Sequence, residues 1–310
     1  MSKIGICLVA LAGLVPVSAV AQVNAGDLPD DTVWYLHANL ESMRTSDGGS
    51  PVWAWFEDEV VEDVREDVGI DISEEIDAVT AFANNSDGTI IIVEGPMSQT
   101  SRDKFLALAA TNGPVDPREY DGKAYYFFGD EDDIDDPADE PFEDLEDALF
   151  LSFAVDGKAL VTGTEAQMRD LLDNNGRVSG KGSHDGALLV LSANQTLVQA
   201  GMQKDGLLES ADDDDDWESK IMSNTEQGAL LLADESGQLA IQAQLVSTDP
   251  KMAEAIGGIV NGLIALQAFN TELEPEVQSL IQNTRVEVSG NNLSINMVID
   301  PNLVVTVLDD

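Results

Sequence analysis

Alternating apolar and polar positions predict short β-strands that recur in the same order in two halves of the chain. The segment 33–40 alternates and contains Ala38-Asn39, and the apolar segment 187–194 ends in the same Ala-Asn pair. In each half a helical or acidic stretch follows, and then come two strands joined by a turn. The two hairpins comprise 78–83 with 89–94, and 229–233 with 238–246. The repeated order predicts an internal duplication.

The two halves also end alike. After each hairpin comes a Ser/Thr-rich helix start, an Ala-rich helix and then a strand beside a glycine turn, at 159–162 and at 293–299. Because hairpins dominate and regular β-α-β alternation is absent, the pattern predicts the α+β class, with two related modules of mainly antiparallel sheet and helices packed on one side. The expected boundaries are module 1 at 22–178, a linker at 179–186 and module 2 at 187–310.

Two helices have clear start and stop signals. Ser50-Pro51 predicts an N-cap followed by a proline in the first turn, and Gly69 ends that helix. Thr164 to Gln167 matches a capping box and predicts a second helix, which Gly176 terminates. The expected inward face of the first helix is Trp53, Phe56, Val60, Val64 and Val68.

A third predicted helix is apolar on nearly all sides. It starts at Asp249-Pro250, runs to Phe269 and is rich in Ala, Ile and Gly. Glycine lowers helix stability, so close packing against a sheet is the expected compensation. Lys251, Glu254 and Asn261 argue against a membrane span. The sequence therefore predicts a buried core helix.

Residues 1–21 have the three parts of a secretory signal. Lys3 gives a positive start, an apolar run follows, and Ala19 and Ala21 form a small-residue cleavage pattern before Gln22. The apolar run is shorter than the about 20 residues of a membrane span, so cleavage is preferred over an uncleaved anchor. We expect an extracytoplasmic protein, periplasmic or secreted, with no transmembrane segment after cleavage. Cleavage also removes Cys7, the only cysteine, which excludes thiol chemistry from the mature chain.

The chain of 310 residues carries 59 acidic and 15 basic side chains, a formal net charge of −44. A surface this negative repels phosphate backbones, which excludes nucleic acid as a partner, and it opposes docking on anionic lipid. Hydrophobic residues make up 43% of the chain, too many for a disordered acidic protein, so a real core is expected. The identity of a small ligand or protein partner stays open.

Acidic residues are concentrated in two segments, 130–147 and 209–217, which predict solvated loops, one in each module. Clustered carboxylates also suit calcium, but neither segment fits the EF-hand loop, because Trp217 or Pro137 stands where glycine is required. A looser calcium site of weak affinity is one interpretation, and solvated surface charge is the other. The candidate calcium ligands are Asp132, Asp133, Asp135, Asp136, Asp212, Asp214 and Asp216.

No catalytic template fits the remaining polar residues. The two histidines, His37 and His184, are far apart and match no metal or triad spacing. Ser101 and Lys104 fit the Ser-x-x-Lys motif of penicillin-recognising enzymes, but the Lys-Thr-Gly motif that should accompany it is missing. Phosphate-binding loops and nucleophile elbows are missing from the sequence as well. We therefore expect neither a catalytic site nor a cofactor-binding site.

These patterns favour a secreted or periplasmic, acidic, non-catalytic protein, serving as a binding module or an envelope-associated structural module of unknown ligand. Two alternatives stay open. One is a carrier of a hydrophobic ligand, with apolar helices over curved sheets enclosing a cavity. The other is a hydrolase with dispersed carboxylates, which a cleft with two facing carboxylates about 5–10 Å apart would favour.

The charge also predicts a salt-tolerant fold. Repulsion among acidic side chains destabilises the compact state at low ionic strength, and salt screens it because the Debye length falls to about 3 Å at 1 M. We expect the melting temperature, followed by circular dichroism, to rise from low salt to molar NaCl. A melting temperature that stays flat or falls over that range would contradict this expectation.

Overall fold

The computed structural model describes residues 28–29, 32–67, 69–84, 88–111, 114–129, 148–178, 186–197, 224–268, 278, 280–281 and 283–308. The predicted signal segment, both acidic segments and the linker up to its last residue lie outside these ranges. The predictions made for those segments therefore stay predictions.

Within the described residues, twelve strands form one antiparallel sheet. They are β1 (Thr32–Asn39), β2 (Ala78–Asn84), β3 (Gly88–Glu94), β4 (Val115–Tyr120), β5 (Lys123–Gly129), β6 (Ala148–Ser152), β7 (Lys158–Thr162), β8 (Ala187–Asn194), β9 (Thr225–Glu235), β10 (Gln238–Ser247), β11 (Arg285–Ser289) and β12 (Asn292–Ile299). Their order across the sheet is β11-β12-β10-β9-β8-β1-β2-β3-β7-β6-β5-β4. This architecture confirms the predicted α+β class with a mainly antiparallel sheet.

In the described ranges, most helices lie between strands in the chain, and one follows the last strand. They are α1 (Leu40–Thr45), α2 (Ser50–Phe56), which continues through a π-helical turn (Glu57–Val61) into α3 (Glu62–Asp67), α4 (Ile72–Glu75), α5 (Gln99–Ala109), α6 (Glu165–Asp173), α7 (Pro250–Ala268) and α8 (Pro301–Leu308). The capping box at the start of α6 is present as predicted, with Thr164 and Gln167 exchanging hydrogen bonds.

The order of the strands repeats between the first and the second half of the sheet. In the first half, β1, β2 and β3 are followed across the sheet by β7 and β6; in the second half, β8, β9 and β10 are followed by β12 and β11. The helices α5 and α7 occupy the same place, after the third strand of each half. The first half adds one hairpin, β4 and β5, at its outer edge. The two halves meet where β1 pairs with β8.

The register of that pairing places a pseudo-two-fold axis at the junction, which relates β1 to β8. When Ala38-Asn39 is aligned with Ala193-Asn194, Leu36 aligns with Leu191, and these two residues pair with each other. On either side, Tyr35 pairs with Ser192 and His37 pairs with Val190, two pairs that the same alignment interchanges. Each half therefore presents the same strand to the other, as the subunits of a symmetric dimer do.

Both strands at the junction end in the same helix cap. The Oδ1 atom of Asn39 accepts a hydrogen bond from the Ser42 backbone N–H at 2.8 Å, at the start of α1. The Oδ1 atom of Asn194 accepts one from the Leu197 backbone N–H at 3.2 Å. Asparagine is favoured at this position because its side chain satisfies an N–H of the first helical turn. This shared capping role accounts for the asparagine of the Ala-Asn pair in both halves.

A hydrophobic core covers one face of the sheet, here called the front face. Tyr35, Phe82 and Val190 lie on this face together with Phe127 and Phe150 of β5 and β6. Helix α6 packs onto it from the first half, through Met168, Leu171 and Leu172, all at most 1% exposed. The front core therefore spans the junction between the halves.

The opposite face, the back face, is covered by helices from both halves. Leu40 and Met43 of α1 and Trp53 of α2 pack with Leu239 and Ile299 of the second half. Helix α8, from the second half, packs against α2, from the first. Helix α7 lies on the same face, over β10, β12 and β11. The back face is thus a second place where the halves share one core.

Three local details differ from the sequence-based expectation. The N-cap of α2 is Gly49, and Ser50 is already helical. The π-helical turn inserts one residue into the helix that follows, so Val61 is fully buried where Val60 was expected to be. The β4–β5 hairpin was not predicted, although Asp121 and Gly122 form its turn with φ of 48° and 76°.

Candidate functional site

The predicted calcium ligands, Asp132, Asp133, Asp135, Asp136, Asp212, Asp214 and Asp216, all lie outside the described residues. The same holds for His184. In the part of the chain that the structure describes, no group of three or more His, Cys, Asp or Glu side chains is placed to hold a metal ion. The prediction of weak calcium binding therefore remains an expectation from sequence.

His37 lies on the front face beside the junction between the halves. Its Nδ1 atom is 2.9 Å from the Thr80 Oγ1 atom across the β1–β2 pair. The side chain is half-buried. A histidine held by a neighbouring hydroxyl in this way contributes to strand pairing.

Ser101 and Lys104, the residues of the Ser-x-x-Lys motif, stabilise the start of α5. The Ser101 hydroxyl donates to Oε1 of Glu75 at 2.8 Å, and Oε2 of Glu75 accepts the Ser98 backbone N–H at 2.7 Å. Burial would raise the pKa of the Glu75 carboxyl, but these hydrogen bonds outweigh it and lower the pKa. Lys104 donates to the Gly69 carbonyl oxygen. These contacts join α4, α5 and the end of α3.

A second polar cluster surrounds Glu165 at the start of α6. Its Oε1 atom accepts from the Tyr125 hydroxyl and from Nη2 of Arg169, the latter at 2.7 Å. Its Oε2 atom accepts from Nη1 of Arg118 at 3.4 Å. The Arg118 guanidinium also stacks 4.7 Å from the centre of the Phe127 ring. The cluster fastens α6 to the added β4–β5 hairpin.

The electrostatics of this cluster favour the ionised carboxylate. Burial by itself would raise the pKa of Glu165, but the hydrogen bonds from Tyr125 and Arg169 and the charges of Arg169 and Arg118 lower it. The pKa of the Tyr125 phenol is raised, first by burial and then by its hydrogen bond to Glu165. A carboxylate with a lowered pKa and two arginine partners is a poor general acid, and the arrangement is that of a structural ion-pair network.

The most unusual surface feature belongs to α7. Ile259, Leu263 and Leu266 recur at helical spacing and are 45%, 51% and 70% exposed. From residue 255 to residue 268 the helix carries no charged side chain, although the whole chain has a net charge of −44. We call Ile259, Leu263 and Leu266 the α7 apolar surface.

The other side of α7 lies tightly on the sheet. Ala253, Ile256 and Gly257 are buried there. A Cβ atom at Gly257 would come within 2.5 Å of the Val288 Cγ2 atom, so this glycine permits the helix to approach β11 closely. Val288 itself remains 37% exposed at the edge of the sheet.

The prediction of a buried core helix is therefore correct only for the first part of α7. The expected packing of a glycine against a sheet occurs at Gly257, whereas no described residue would lie within 4 Å of a Cβ atom at Gly258 or Gly262. An apolar pattern on all sides shows that a helix has no preferred solvent face, and it leaves open which side the sheet covers. Of the helices in the described ranges, none is both long enough and apolar enough to cross a membrane.

Comparison with known proteins gives only distant structural similarity. The sequence matches no family model and no curated protein. Crystal form III of the protein TP0453 has a TM-score of 0.45 and 12% identity, over 93% of this chain and 99% of that chain. Crystal form IV gives 0.45 and 12% over 90% and 93%, and crystal form I gives 0.40 and 13% over 89% and 92%. These similarities are too distant to support a functional assignment.

The Glu165 cluster leads to a pH-dependent prediction. Glu165→Gln keeps the side-chain shape but removes the charge between Arg118 and Arg169, so we expect the free energy of unfolding to fall by about 1 kcal/mol at neutral pH. The pKa of Glu165 is lowered by folding, so its stabilisation is present above the unfolded pKa and is lost as pH falls through the folded pKa. The difference between the two proteins should therefore be smaller at an acidic pH below the ordinary glutamate pKa of about 4.3 than at neutral pH.

Urea unfolding at both pH values measures this difference. Glu119→Gln is the matched control, because Glu119 is exposed on β4 and its loss should change stability little. Equal stability of Glu165→Gln and the wild type at neutral pH, or a difference that persists unchanged in acid, would contradict the assignment.

Proposed function

We propose that the protein is a non-catalytic binding module that acts outside the cytoplasm, and that the α7 apolar surface contacts its partner. One observation carries the proposal: three large apolar side chains stand exposed along an uncharged helical segment of a very acidic protein. Single exposed leucines are ordinary, whereas an apolar row of this kind is typical of an interaction site.

Burial of this surface would contribute favourably to binding. Full burial of one leucine side chain is worth about 1.5–3 kcal/mol, so covering the exposed 51% of Leu263 and 70% of Leu266 is worth roughly 2–4 kcal/mol in total. The uncharged segment also lets a partner approach without desolvating a carboxylate, which would oppose association. The chemistry of the surface therefore suits an apolar partner.

The polar clusters support a non-catalytic role. Two of the described carboxylates with lowered pKa values, Glu75 and Glu165, use their oxygens in hydrogen bonds that join helices to one another or to the sheet. The sequence also lacks residues that the known catalytic motifs require, such as the Lys-Thr-Gly motif that should accompany Ser-x-x-Lys. The proposal that the protein acts outside the cytoplasm depends on the secretory signal pattern of residues 1–21.

A carrier of a hydrophobic ligand is the second candidate function, and the same surface favours it. An uncharged hydrophobic dye such as Nile red tests both, because it binds exposed apolar surface without being repelled by the acidic protein. Saturation by one tightly bound long-chain ligand per chain would favour the carrier.

The decisive variant is the double replacement Leu263→Gln with Leu266→Gln. Glutamine keeps helix propensity close to that of leucine, so the fold should persist while Nile red fluorescence falls by roughly half or more. Leu108→Gln is the matched control, since Leu108 is also a helical leucine at 51% exposure but stands outside this row. An equal effect of both variants, or no dye binding by the wild type at low ionic strength, would overturn the proposal.

A further inference from the structure

The sheet has two outer edges, and they differ in how they are protected. At one edge, β4 contains Pro117, which lacks a backbone N–H, flanked by Asp116 and Arg118. Proline and charged side chains on an edge strand discourage pairing with another chain. At the other edge, β11 has the sequence Arg285-Val286-Glu287-Val288-Ser289 and contains no proline. Among the described residues no strand pairs with the outer side of β11, so this edge keeps its capacity for further strand pairing.

The side chains of β11 are sorted by face. Val286 and Val288 pair with Ile295 and Leu293, and they lie on the back face, which α7 covers. Arg285 and Glu287 pair with Asn296 and Ser294, and they lie on the front face, where both are exposed. Among the described residues, neither Arg285 nor Glu287 takes part in an ion pair. The edge thus presents one positive and one negative side chain, two positions apart.

We propose that the partner of the α7 apolar surface is a second copy of this chain, which pairs antiparallel with β11 so that Val286 lies opposite Val286 of the second copy. In this register Arg285 lies opposite Glu287 of the second copy, and the symmetry repeats the pair. Opposite charges in directly opposed cross-strand positions are favourable. This inference rests on the proposed function, whose binding surface it assigns to self-association.

Neighbouring registers are less favourable. A pairing centred on Glu287 places that carboxylate opposite itself, and one centred on Arg285 does the same for the guanidinium. Like charges that are directly opposed destabilise a strand pair. A shift by one residue also reverses the face to which each side chain points. The register centred on Val286 matches both the charges and the faces.

The two-fold axis of this pairing also brings the α7 helices together. An axis perpendicular to the sheet preserves its faces, so both copies of α7 lie on the back face of one continuous sheet, beside the joint. Association there shields Val288 and the exposed leucines from water. The same arrangement already exists inside the chain, where β1 and β8 pair about a pseudo-two-fold with residue Leu36 opposite its counterpart Leu191.

Net charge makes this association dependent on salt. Two molecules that each carry a formal charge of −44 repel each other over long distances, while the contacts at the joint are local. Salt weakens the long-range repulsion more than it weakens directly opposed pairs. We therefore expect the dimer to be weak at low ionic strength and stable at about 0.3 M NaCl.

Sedimentation velocity on the whole protein with exchanged charges tests the register. At about 0.3 M NaCl the wild type should sediment as a dimer of the 33.2 kDa chain, less the mass of any cleaved signal. Arg285→Glu and Glu287→Arg should each weaken the dimer roughly tenfold or more, because each creates like-charge pairs twice across the axis. The double variant should restore the wild-type affinity. Glu119→Arg, which makes the same charge change on β4, is the control and should leave the dimer unchanged.

Several results would overturn the inference. One is a wild type that remains monomeric at about 100 μM, a concentration at which weak dimers form. Another is a dimer that Glu119→Arg weakens as much as the β11 variants do. The third is a double variant that folds but fails to dimerise. The Nile red measurement keeps the two proposals apart. If the protein is a monomer and binds the dye at α7, the proposed dimer is wrong but the α7 apolar surface remains a binding surface. If the protein forms the β11 dimer but α7 binds no dye in either the monomeric or the dimeric state, the proposal of an α7 binding surface is wrong.

Discussion

The antiparallel pairing of β1 with β8 is the contact on which the rest of the structure depends. Without it the chain would form two smaller sheets, each with an exposed apolar edge strand. With it, strands of both halves lie side by side in the interior of a single sheet. Because a pseudo-two-fold axis passes between Leu36 and Leu191, equivalent strands of the two halves form both sides of the contact. The Ala-Asn pair that occurs twice in the sequence reflects this symmetry, because each asparagine caps the helical turn that follows β1 or β8.

The cores on the two faces follow from this junction. The front core continues from Phe82 through Tyr35 to Val190 without a break between the halves. On the back face α8 of the second half packs on α2 of the first, and the Asp234 carboxylate accepts the Gly48 backbone N–H across the same boundary. The features that distinguish the halves lie far from the centre: the Glu165 cluster fastens the added hairpin at one end, and the α7 apolar surface stands near the other.

The elements predicted correctly are those that local chemistry determines. The capping box at Thr164, the proline start of α7 and the two hairpins depend on residues within a few positions of one another. The Asp121-Gly122 pair is a local turn signal for the added hairpin, but the strands beside it carry charged residues and lack a clear apolar alternation. The exposed side of α7 could not be derived, because its apolar residues surround the helix and only the sheet determines which of them are buried. The Glu165 network joins residues far apart in the chain, and periodicity does not reveal such contacts.

Native-state hydrogen exchange tests the central claim most directly, because it measures the free energy of opening strand by strand. If the β1–β8 pair unites the halves, amide protons in β1, β2, β8 and β9 should exchange only through global unfolding, with the same highest protection in both halves and the same dependence on denaturant. Exchange from β8, β9 and β10 at a clearly lower free energy than from β1, β2 and β3 would show that the second half opens alone, and it would contradict the account.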